Sequence, residues 1–511
     1  MGEDVISVSG SDAHGTPILI AAEQTHQTPS EFVENKHAEF VEVLKQWSIE
    51  LDNYTVTTTD SHKEFVREFY TDLYHNGKIE KKTTHQYYCS NCSKFLPDRF
   101  VIGVCPKCNT NQARGDQCSN DDCNTPLTPE EIIEPKCATC HLKPNLKETI
   151  HWYFKLKDAQ DYLSKFLSNG VQISDKFRNE ALAFVNRGLE NRALTRDLSW
   201  GIQASDIFDS EQEKVFYVWS EDVLGYISAS IEKYKSQNRD WEEIWKKAKT
   251  VFCIGKDNLF FHAIWYPALI EASGFDYVAP KVISITNFLQ FNGQGFSKSK
   301  GIGIWADEAL SIAPSDYWRF YLVYSRPDNK DGNFTYYDFV ETVNKHLVNT
   351  IGNLVVRSIS LIHKLKDGLI QKVTPICEVN KLFLISFEEI EYQTINKIYE
   401  CDIRGVSESV VQIARFINQH IVDTSPWKSD DDGFIAESLY TIYWSLVRLS
   451  YWLKPLTPHI ATDLRTQLGL LKQDQFEDSY ISFRPPKLIP ERSFFISKLE
   501  YIDEKIRFKS Q

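Results

Sequence analysis

Eight of the 11 cysteines lie between Cys89 and Cys140 and fall into four close pairs. The pairs are Cys89 with Cys92, Cys105 with Cys108, Cys118 with Cys123, and Cys137 with Cys140. Short turns of this kind bring two thiolates to one tetrahedral ion, so the cluster predicts two four-cysteine zinc sites. We expect the inner pairs to share one ion and the outer pairs the other. A closed shell of four thiolates leaves no position for water, which indicates structural zinc, and free thiols in a loop are the alternative.

A chain of 511 residues is too long for one hydrophobic core, and its length indicates about three domains. With 42% hydrophobic and 25% charged residues it has the composition of a globular protein. No apolar run reaches the roughly 18 residues of a membrane span, and the acidic start lacks the apolar core of a secretory signal. We therefore expect a cytoplasmic protein without a membrane partner. The net charge of −13 argues against a general nucleic-acid coat but allows a local basic face.

Hydrophobic periodicity divides the rest of the chain into strand-like and helical segments. The strand candidates are residues 4–9, 54–57, 251–254 and 282–286, and the helix candidates are residues 29–52, 63–75, 156–189 and 258–272. Alternation of strands and helices predicts an open α/β sheet. From residue 336 to about residue 471 the pattern is almost entirely helical.

A loop rich in small residues occupies residues 292–301 and reads Asn-Gly-Gln-Gly-Phe-Ser-Lys-Ser-Lys-Gly. Small residues around Lys298 and Lys300 suit a mobile loop that brings ammonium groups to phosphates. Taken alone, the same stretch is equally typical of a solvated surface loop.

Several motifs follow one another in a fixed order. They are Ser-Asp-Ala-His-Gly-Thr-Pro-Ile at residues 11–18, the cysteine pairs, Tyr217-Val218-Trp219, Gly225-Tyr226, Gly255-Lys256-Asp257-Asn258, Phe261-His262 and the Ser-Lys-Ser loop. This order resembles that of the class I methionyl-tRNA synthetases from about residue 3 to residue 470. The resemblance implies that methionine reacts with ATP and Mg²⁺ to give methionyl-adenylate, and that the methionyl group then passes to tRNA(Met).

The resemblance also implies an architecture. The fold would be α/β, with the Rossmann-type parallel sheet of class I synthetases, a zinc-knuckle insertion and an all-α anticodon-binding bundle. The implied segments are the first part of the catalytic domain (1–80), the insertion with two zinc knuckles (81–198), the second half of the catalytic domain with the Ser-Lys-Ser loop (199–335), the helical anticodon-binding domain (336–475) and a C-terminal tail (476–511).

The resemblance assigns roles to residues around an amino-acid pocket. Asp12 matches the carboxylate that holds the substrate's α-amino group, in the motif that also contains His14. The other matching pocket positions are Trp219, Asp222, Tyr226, Phe261 and His262. Aromatic walls suit a thioether, which packs well against ring edges. Ordinary core packing is the alternative for the aromatic residues.

A second set of matches concerns ATP. Gly255 and Asp257 lie at a strand-to-helix turn, the usual nucleotide position in an open α/β sheet, and they resemble the family's adenosine and ribose contacts. Lys298 matches the second lysine of the family's Lys-Met-Ser-Lys-Ser signature and would stabilise phosphate charge during displacement. The predicted catalytic residues are Lys298 with the adjacent Ser297 and Ser299, and Arg196, which resembles an arginine near the same site.

The helical part contains an apolar stripe with a period of 3.6 residues. Its members are Leu347, Val348, Ile351, Leu354, Val355, Ile359 and Ile362. Asn353 and Arg357 lie off this stripe, and Trp427 follows a proline. These three residues resemble the family's anticodon readers, because an amide, a guanidinium and an indole suit unstacked loop bases. A solvated helix face is the alternative for Asn353 and Arg357.

Three features depart from the family pattern. The family's His-Ile-Gly-His tetrad belongs to its first βα unit, and no His-x-Gly-His occurs in this sequence, so the chain resembles a member that lacks that unit. Gly295 replaces the first lysine of the signature. Asp222 stands where the family mostly has Ala beside the methionine side chain, either reshaping the pocket for a polar or cationic amino acid or pointing outward in the first helical turn.

These features leave three functional interpretations. The motifs favour a methionine–tRNA ligase. A truncated paralogue that binds tRNA without catalysis is the first alternative. A synthetase-like activator of another amino acid is the second.

Overall fold

The computed structural model describes residues 4–111, 113–115, 118–120, 123, 125, 127–275, 279–297, 301–470, 488–489 and 496–500. The chain divides into two compact units. Among the described residues, the α/β unit contains Asp4–Glu42 and Glu50–Thr286, and the helical unit contains Val43–Ile49 and the residues from Asn287 onward. This division does not test the finer boundaries expected from the sequence, which stay a prediction.

The α/β unit contains 13 strands and nine helices among its described residues. The strands are β1 (Val8–Ser11), β2 (Asn53–Val56), β3 (Ile79–Cys89), β4 (Lys94–Phe95), β5 (Val101–Val104), β6 (Ala113–Arg114), β7 (Ile133–Cys137), β8 (Asn145–Phe154), β9 (Arg192–Ala193), β10 (Thr195–Arg196), β11 (Val215–Phe216), β12 (Val251–Gly255) and β13 (Val282–Thr286). The helices are α1 (Thr16–Gln24), α2 (Pro29–Gln46), α3 (Asp60–His75), α4 (Gln160–Lys165), α5 (Asp175–Asn186), α6 (Val218–Glu221), α7 (Gly225–Ser236), α8 (Trp241–Lys247) and α9 (Tyr266–Ser273).

Two pairs of parallel strands position the candidate site. β1 pairs with β2, with Val8 opposite Asn53, and β12 pairs with β13, with Val251 opposite Val282. In each pair a helical connection links the strands, as parallel pairing requires. The predicted α/β class with parallel strands is confirmed. The first strand begins at Val8 rather than at residue 4, because pairing with β2 sets its ends.

The cysteine segment forms antiparallel structure. One four-stranded sheet has the order β4-β3-β8-β9, and a three-stranded sheet has the order β6-β5-β7. Their strands carry Cys89 at the end of β3 and Cys137 at the end of β7. The regular β–α alternation of the unit is therefore interrupted here, as the sequence predicted.

Three predicted helices differ from the observed ones. The segment expected to be helical over residues 156–189 contains a 3₁₀ turn (Leu156–Ala159), α4, a π-helical turn (Phe166–Gly170) and α5, and it is interrupted at residues 171–174, where Val171 is extended with φ of −135°. The helix expected over residues 29–52 ends at Gln46, because Ser48 adopts a left-handed conformation with φ of 53°. The helix expected over residues 258–272 consists of a 3₁₀ turn (Lys256–Asn258), a π-helical turn (Phe261–Trp265) and then α9. Such π turns frequently occur at functional sites.

The helical unit has eight helices and two short strands among its described residues. They are β14 (Leu289–Phe291), α10 (Ala306–Ile312), α11 (Ser315–Tyr324), β15 (Gly332–Phe334), α12 (Tyr336–Val343), α13 (Asn353–Lys366), α14 (Glu378–Tyr399), α15 (Ile403–Thr424), α16 (Asp432–Leu453) and α17 (Pro458–Gln467). A π-helical stretch at Asn344–Gly352 joins α12 to α13. The predicted apolar stripe is buried apart from the partly buried Val348, which confirms the helical prediction. Among the described residues, no helix has the length and apolar character needed to span a membrane.

Candidate functional site

The eight paired cysteines form two groups. Cys89, Cys92, Cys137 and Cys140 make one, and Cys105, Cys108, Cys118 and Cys123 make the other, with the sulfur atoms of each group within 4.8 Å of one another. The Sγ–Sγ distances include 3.4 Å between Cys89 and Cys140 and 3.6 Å between Cys108 and Cys118. Four thiolates at about 2.3 Å from a tetrahedral ion are about 3.8 Å apart, so both groups fit a metal ion. The predicted assignment of inner and outer pairs is confirmed.

Asp12 lies directly after the carboxyl end of β1, in the turn that leads into α1. Gly15 makes this turn possible, since its φ of 93° is a conformation that residues with a side chain rarely adopt. The backbone N–H of His14 points to Asp12 Oδ1 at 3.5 Å. Although Asp12 is exposed as a whole, burial of its carboxyl group and the charge of Glu221 raise its pKa to about 7. The group therefore changes charge near neutral pH.

Four of the predicted pocket residues meet in two pairs. The rings of Trp219 and Phe261 are stacked, with centroids 4.4 Å apart and an angle of 17° between planes. Tyr226 Oη lies 2.8 Å from His262 Nε2, and His262 Nδ1 lies 3.1 Å from the carbonyl oxygen of Asn258. A carbonyl can only accept, so Nδ1 carries the proton and Nε2 accepts from the Tyr226 hydroxyl. Burial lowers the pKa of His262, consistent with a neutral ring. The Tyr226 oxygen remains able to accept a hydrogen bond from a ligand.

Asp222 begins a 3₁₀ turn (Asp222–Leu224) and is half-buried. Burial, followed by the charges of Asp12 and Glu221, raises its pKa well above the ordinary value. The pKa of Tyr226 is raised chiefly by burial and, as the second cause, by the carboxyl group of Asp222. The Asp222 carboxyl group therefore interacts with Asp12, Glu221 and Tyr226, and its effect on amino-acid specificity stays a prediction.

Sequence reasoning missed a buried carboxylate beside this pocket. Glu221 accepts hydrogen bonds from His14 Nδ1 and from His62 Nε2, both at 2.7 Å. Burial by itself would raise the pKa of Glu221, but the hydrogen bonds and charges of the two imidazoles outweigh it and lower the pKa. The His14 ring, predicted to bind substrate, is thus directed to Glu221. An acidic pair after Trp219 in an otherwise apolar segment was the signal in the sequence.

The predicted nucleotide residues lie at the carboxyl end of β12. Gly255 is its last residue, and Asp257 sits in the following 3₁₀ turn. A Cβ atom on Gly255 would lie 2.6 Å from Asp257 Oδ1, so the glycine allows the carboxylate to fold back over the strand end. Arg196 is half-buried, with its guanidinium carbon 3.8 Å from the centroid of the Tyr217 ring and its Nη1 donating to the carbonyl oxygen of Thr195 at 3.0 Å.

The Ser-Lys-Ser loop is only partly described. Lys298 and Ser299 lie outside the described residues. Ser297 pairs with Ile302 in an antiparallel bridge, with N–H to carbonyl distances of 3.0 and 2.9 Å. The two ends of the loop are therefore held together.

The predicted anticodon readers lie on the surface of the helical unit. Asn353 and Arg357 are exposed on α13, one turn apart. Trp427 sits in a 3₁₀ turn (Pro426–Lys428) that follows α15, where Ser425 adopts a left-handed conformation with φ of 38°. The guanidinium carbon of Arg357 lies 5.6 Å from the centroid of the Trp427 ring, a cation–π contact. The structure thus brings Arg357 and Trp427 together on one exposed surface.

Three comparisons with known proteins bear on this site. Residues 1–359 match the family model described as tRNA synthetases class I (M). The chain is 40% identical to a methionine–tRNA ligase of Korarchaeum cryptofilum over 92% of this chain and 84% of that protein, and 38% identical to one of Pyrobaculum islandicum over 95% and 85%. A Mycobacterium tuberculosis methionyl-tRNA synthetase in complex with methionyl-adenylate has the same fold, with a TM-score of 0.77 at 20% identity, covering 96% of this chain and 92% of that one.

Proposed function

The chain belongs to the class I methionyl-tRNA synthetases, and we propose which of its residues carry out the reaction of a methionine–tRNA ligase. The ligase joins methionine to tRNA(Met) with ATP, so these three molecules are its partners. The observation that carries this assignment is the 40% identity to a curated methionine–tRNA ligase over 92% of the chain.

We assign the amino-acid site to Asp12 and the two aromatic pairs. Ionised Asp12 accepts the α-ammonium group of methionine in a charge-assisted hydrogen bond. Trp219 and Phe261 form one apolar wall for the thioether, which packs favourably against aromatic edges. In the second pair, the hydrogen bond to His262 fixes Tyr226, which presents its ring and its hydroxyl oxygen to the substrate. The hydrogen bond between them supports this assignment, because it locks the Tyr226 ring in one orientation.

We assign ATP, which enters with Mg²⁺, to the end of β12. Asp257 is suited to accept hydrogen bonds from ribose hydroxyls, and Gly255 leaves the backbone open to the nucleotide. Lys298 would neutralise the charge that develops on the phosphates when the methionine carboxylate displaces pyrophosphate, and the hydroxyls of Ser297 and Ser299 would donate hydrogen bonds to them. Arg196 is a further cation of this site, oriented by its contact with Tyr217.

We assign tRNA recognition to Asn353, Arg357 and Trp427, whose exposed groups suit unstacked anticodon bases. The two cysteine groups would hold one Zn²⁺ each, with four thiolates that leave no open position for substrate. Their zinc would stabilise the segment between β3 and β8. Thiolate ligands fit a reducing compartment, and we expect the protein in the cytoplasm.

Methionine-dependent exchange between pyrophosphate and ATP tests the assignment. We expect exchange with methionine, charging of tRNA(Met), and loss of exchange in Asp12→Asn but not in the exposed control Asp60→Asn. Exchange that depends on a lysine-like amino acid instead of methionine would favour an activator of another amino acid. The carboxyl group of Asp222 is the feature that motivates this alternative. Binding of tRNA without any exchange would favour the non-catalytic paralogue.

A further inference from the structure

Glu221 is a fully buried carboxylate that no assigned step of the reaction uses. Its side chain is 0% exposed, and those of His14 and His62 are 3% and 1% exposed. One carboxylate oxygen accepts from His14 and the other from His62, each at 2.7 Å. His62 Nδ1 is in turn 2.8 Å from Ser228 Oγ on α7. A buried carboxylate with this many partners is costly unless every one of them is in place.

This network reaches the substrate site through the turn that carries Asp12. His14 is bound to Glu221 through its ring and approaches Asp12 through its backbone N–H, 3.5 Å from Oδ1. The backbone N–H of Ala13, between them, donates to Thr57 Oγ1 at 3.0 Å. The turn is thus fixed on one side by Glu221 and on the other by Thr57.

The charge of Glu221 also acts on Asp12 directly. Burial is the largest cause that raises the pKa of Asp12 to about 7, and the charge of Glu221 is the second largest. The titratable groups around Glu221 are Asp12 and His14 before α1, His62 and Tyr70 on α3, and the adjacent Asp222. Because hydrogen bonds and charges of the two imidazoles lower the pKa of Glu221, Asp12, whose pKa is about 7, ionises next to a carboxylate that is already ionised.

We propose that Glu221 is a positioning residue for the α-ammonium site: held by His14 and His62, it fixes the turn that carries Asp12 and places its own charge next to that turn. The proposal rests on the proposed function for the role of Asp12 in binding methionine. It has two separable parts. The position of the Glu221 carboxylate determines how tightly methionine binds once Asp12 is ionised. Its charge determines the pH below which methionine binding weakens.

Two variants separate position from charge. Glu221→Gln keeps the size of the side chain but removes the charge and one acceptor. Glu221→Asp keeps the charge but withdraws the carboxylate by one methylene, about 1.5 Å, so that it no longer spans both imidazoles. Glu232→Gln is the matched control, because Glu232 also accepts from two side chains, Asn53 and Thr59, in the same unit.

Two measurements are made on the full chain from pH 5 to pH 8. The first is the titration of the Asp12 carboxyl carbon by ¹³C NMR without ligand, with the signal identified by its loss in Asp12→Asn. The second is the dissociation constant of methionine. We expect a midpoint near 7 in the wild type and in Glu232→Gln, and a midpoint lower by about one unit in Glu221→Gln. At pH 8, we expect both Glu221 variants to bind methionine at least about tenfold more weakly, with the Glu221→Asp midpoint unchanged.

The proposal is overturned if the Asp12 midpoint in Glu221→Gln equals that of the control, or if both Glu221 variants bind methionine at pH 8 as the wild type does. If Glu221→Gln does not fold, Glu221→Asp decides, since wild-type affinity in it refutes the positioning role. If the wild type binds no methionine at any pH, the proposed function fails, and the NMR titration still decides whether Glu221 sets the ionisation of Asp12.

Discussion

Replacement of Trp427 by alanine tests whether the exposed surface of the helical unit reads tRNA. The ring is 39% exposed and follows α15, and it contacts the guanidinium of Arg357 at 5.6 Å. Because the ring is surface-exposed in a 3₁₀ turn, its removal leaves the core of the unit intact. We therefore expect a selective loss of tRNA affinity.

The magnitude follows from the part of the ring that a base can reach. Stacking of one base on an aromatic side chain contributes about 1–3 kcal/mol, as judged by alanine substitution. Since more than half of the Trp427 surface is already covered by protein, the lower part of that range applies. A loss of about 1–2 kcal/mol corresponds to tRNA binding that is weaker by about 5- to 30-fold. Arg357→Lys should weaken binding as well, because lysine keeps the charge but not the planar guanidinium.

The assay compares two reactions of the same protein. Filter binding or fluorescence anisotropy gives the affinity for tRNA(Met), and pyrophosphate exchange gives amino-acid activation. We expect Trp427→Ala to change the first and leave the second at the wild-type rate. Tyr392→Ala is the matched control, because Tyr392 is an aromatic residue of α14 that is 60% exposed.

Two results would refute this reasoning. Wild-type affinity of Trp427→Ala for tRNA(Met) would show that the ring does not stack on a base. An equal loss in Tyr392→Ala would show that any exposed aromatic group of the unit matters, and that the pair of Trp427 and Arg357 has no special role.

Three further predictions concern the α/β unit. Asp222→Ala should bind methionine about tenfold more tightly, as measured by calorimetry, because the substitution removes a buried polar group from the surroundings of the thioether. Tighter binding of lysine-like analogues by the alanine variant would contradict this expectation. Cys137→Ser should lower the zinc content measured by mass spectrometry from two ions per chain to one, while Cys377→Ser, outside both groups, keeps both; unchanged zinc in Cys137→Ser would disprove the site. Gly255→Ala should raise KM for ATP several-fold and leave KM for methionine unchanged, because the new Cβ displaces Asp257; an equal change in both constants would argue against the nucleotide assignment.

The cysteine groups and the exposed surface of α13 could be predicted because residues that are close in the sequence determine them. Each close cysteine pair, three of them CxxC turns, places two thiolates side by side, and only the pairing of turns remained to be determined. Asn353 and Arg357 lie one turn apart on α13, so the helical period alone puts them on the same face. Trp427 was associated with them by family resemblance, and the structure places its ring beside Arg357.

The network of Glu221 could not be predicted, because its members are distant in sequence. His14 is 207 residues from Glu221, and His62 is 159 residues away. Neither histidine stands at a spacing that indicates a shared partner. Only the fold brings Glu221 at the end of α6, His62 on α3 and His14 before α1 to one buried point. Motifs identified the groups that face the ligand, while the groups that hold them became visible only in the fold.

This difference determines how the substitution at Asp222 should be interpreted. From sequence alone, Asp222 is a carboxylate in place of alanine that either reshapes the pocket for a polar or cationic amino acid or points outward. In the structure it is one of three neighbouring carboxyl groups, with Asp12 and Glu221, and burial together with the charges of these two groups raises its pKa well above the ordinary value, which favours its neutral form. A protonated carboxyl group is neutral and offers no charge to a cationic side chain. The raised pKa of Asp222 therefore makes the position more compatible with methionine than the sequence alone suggests.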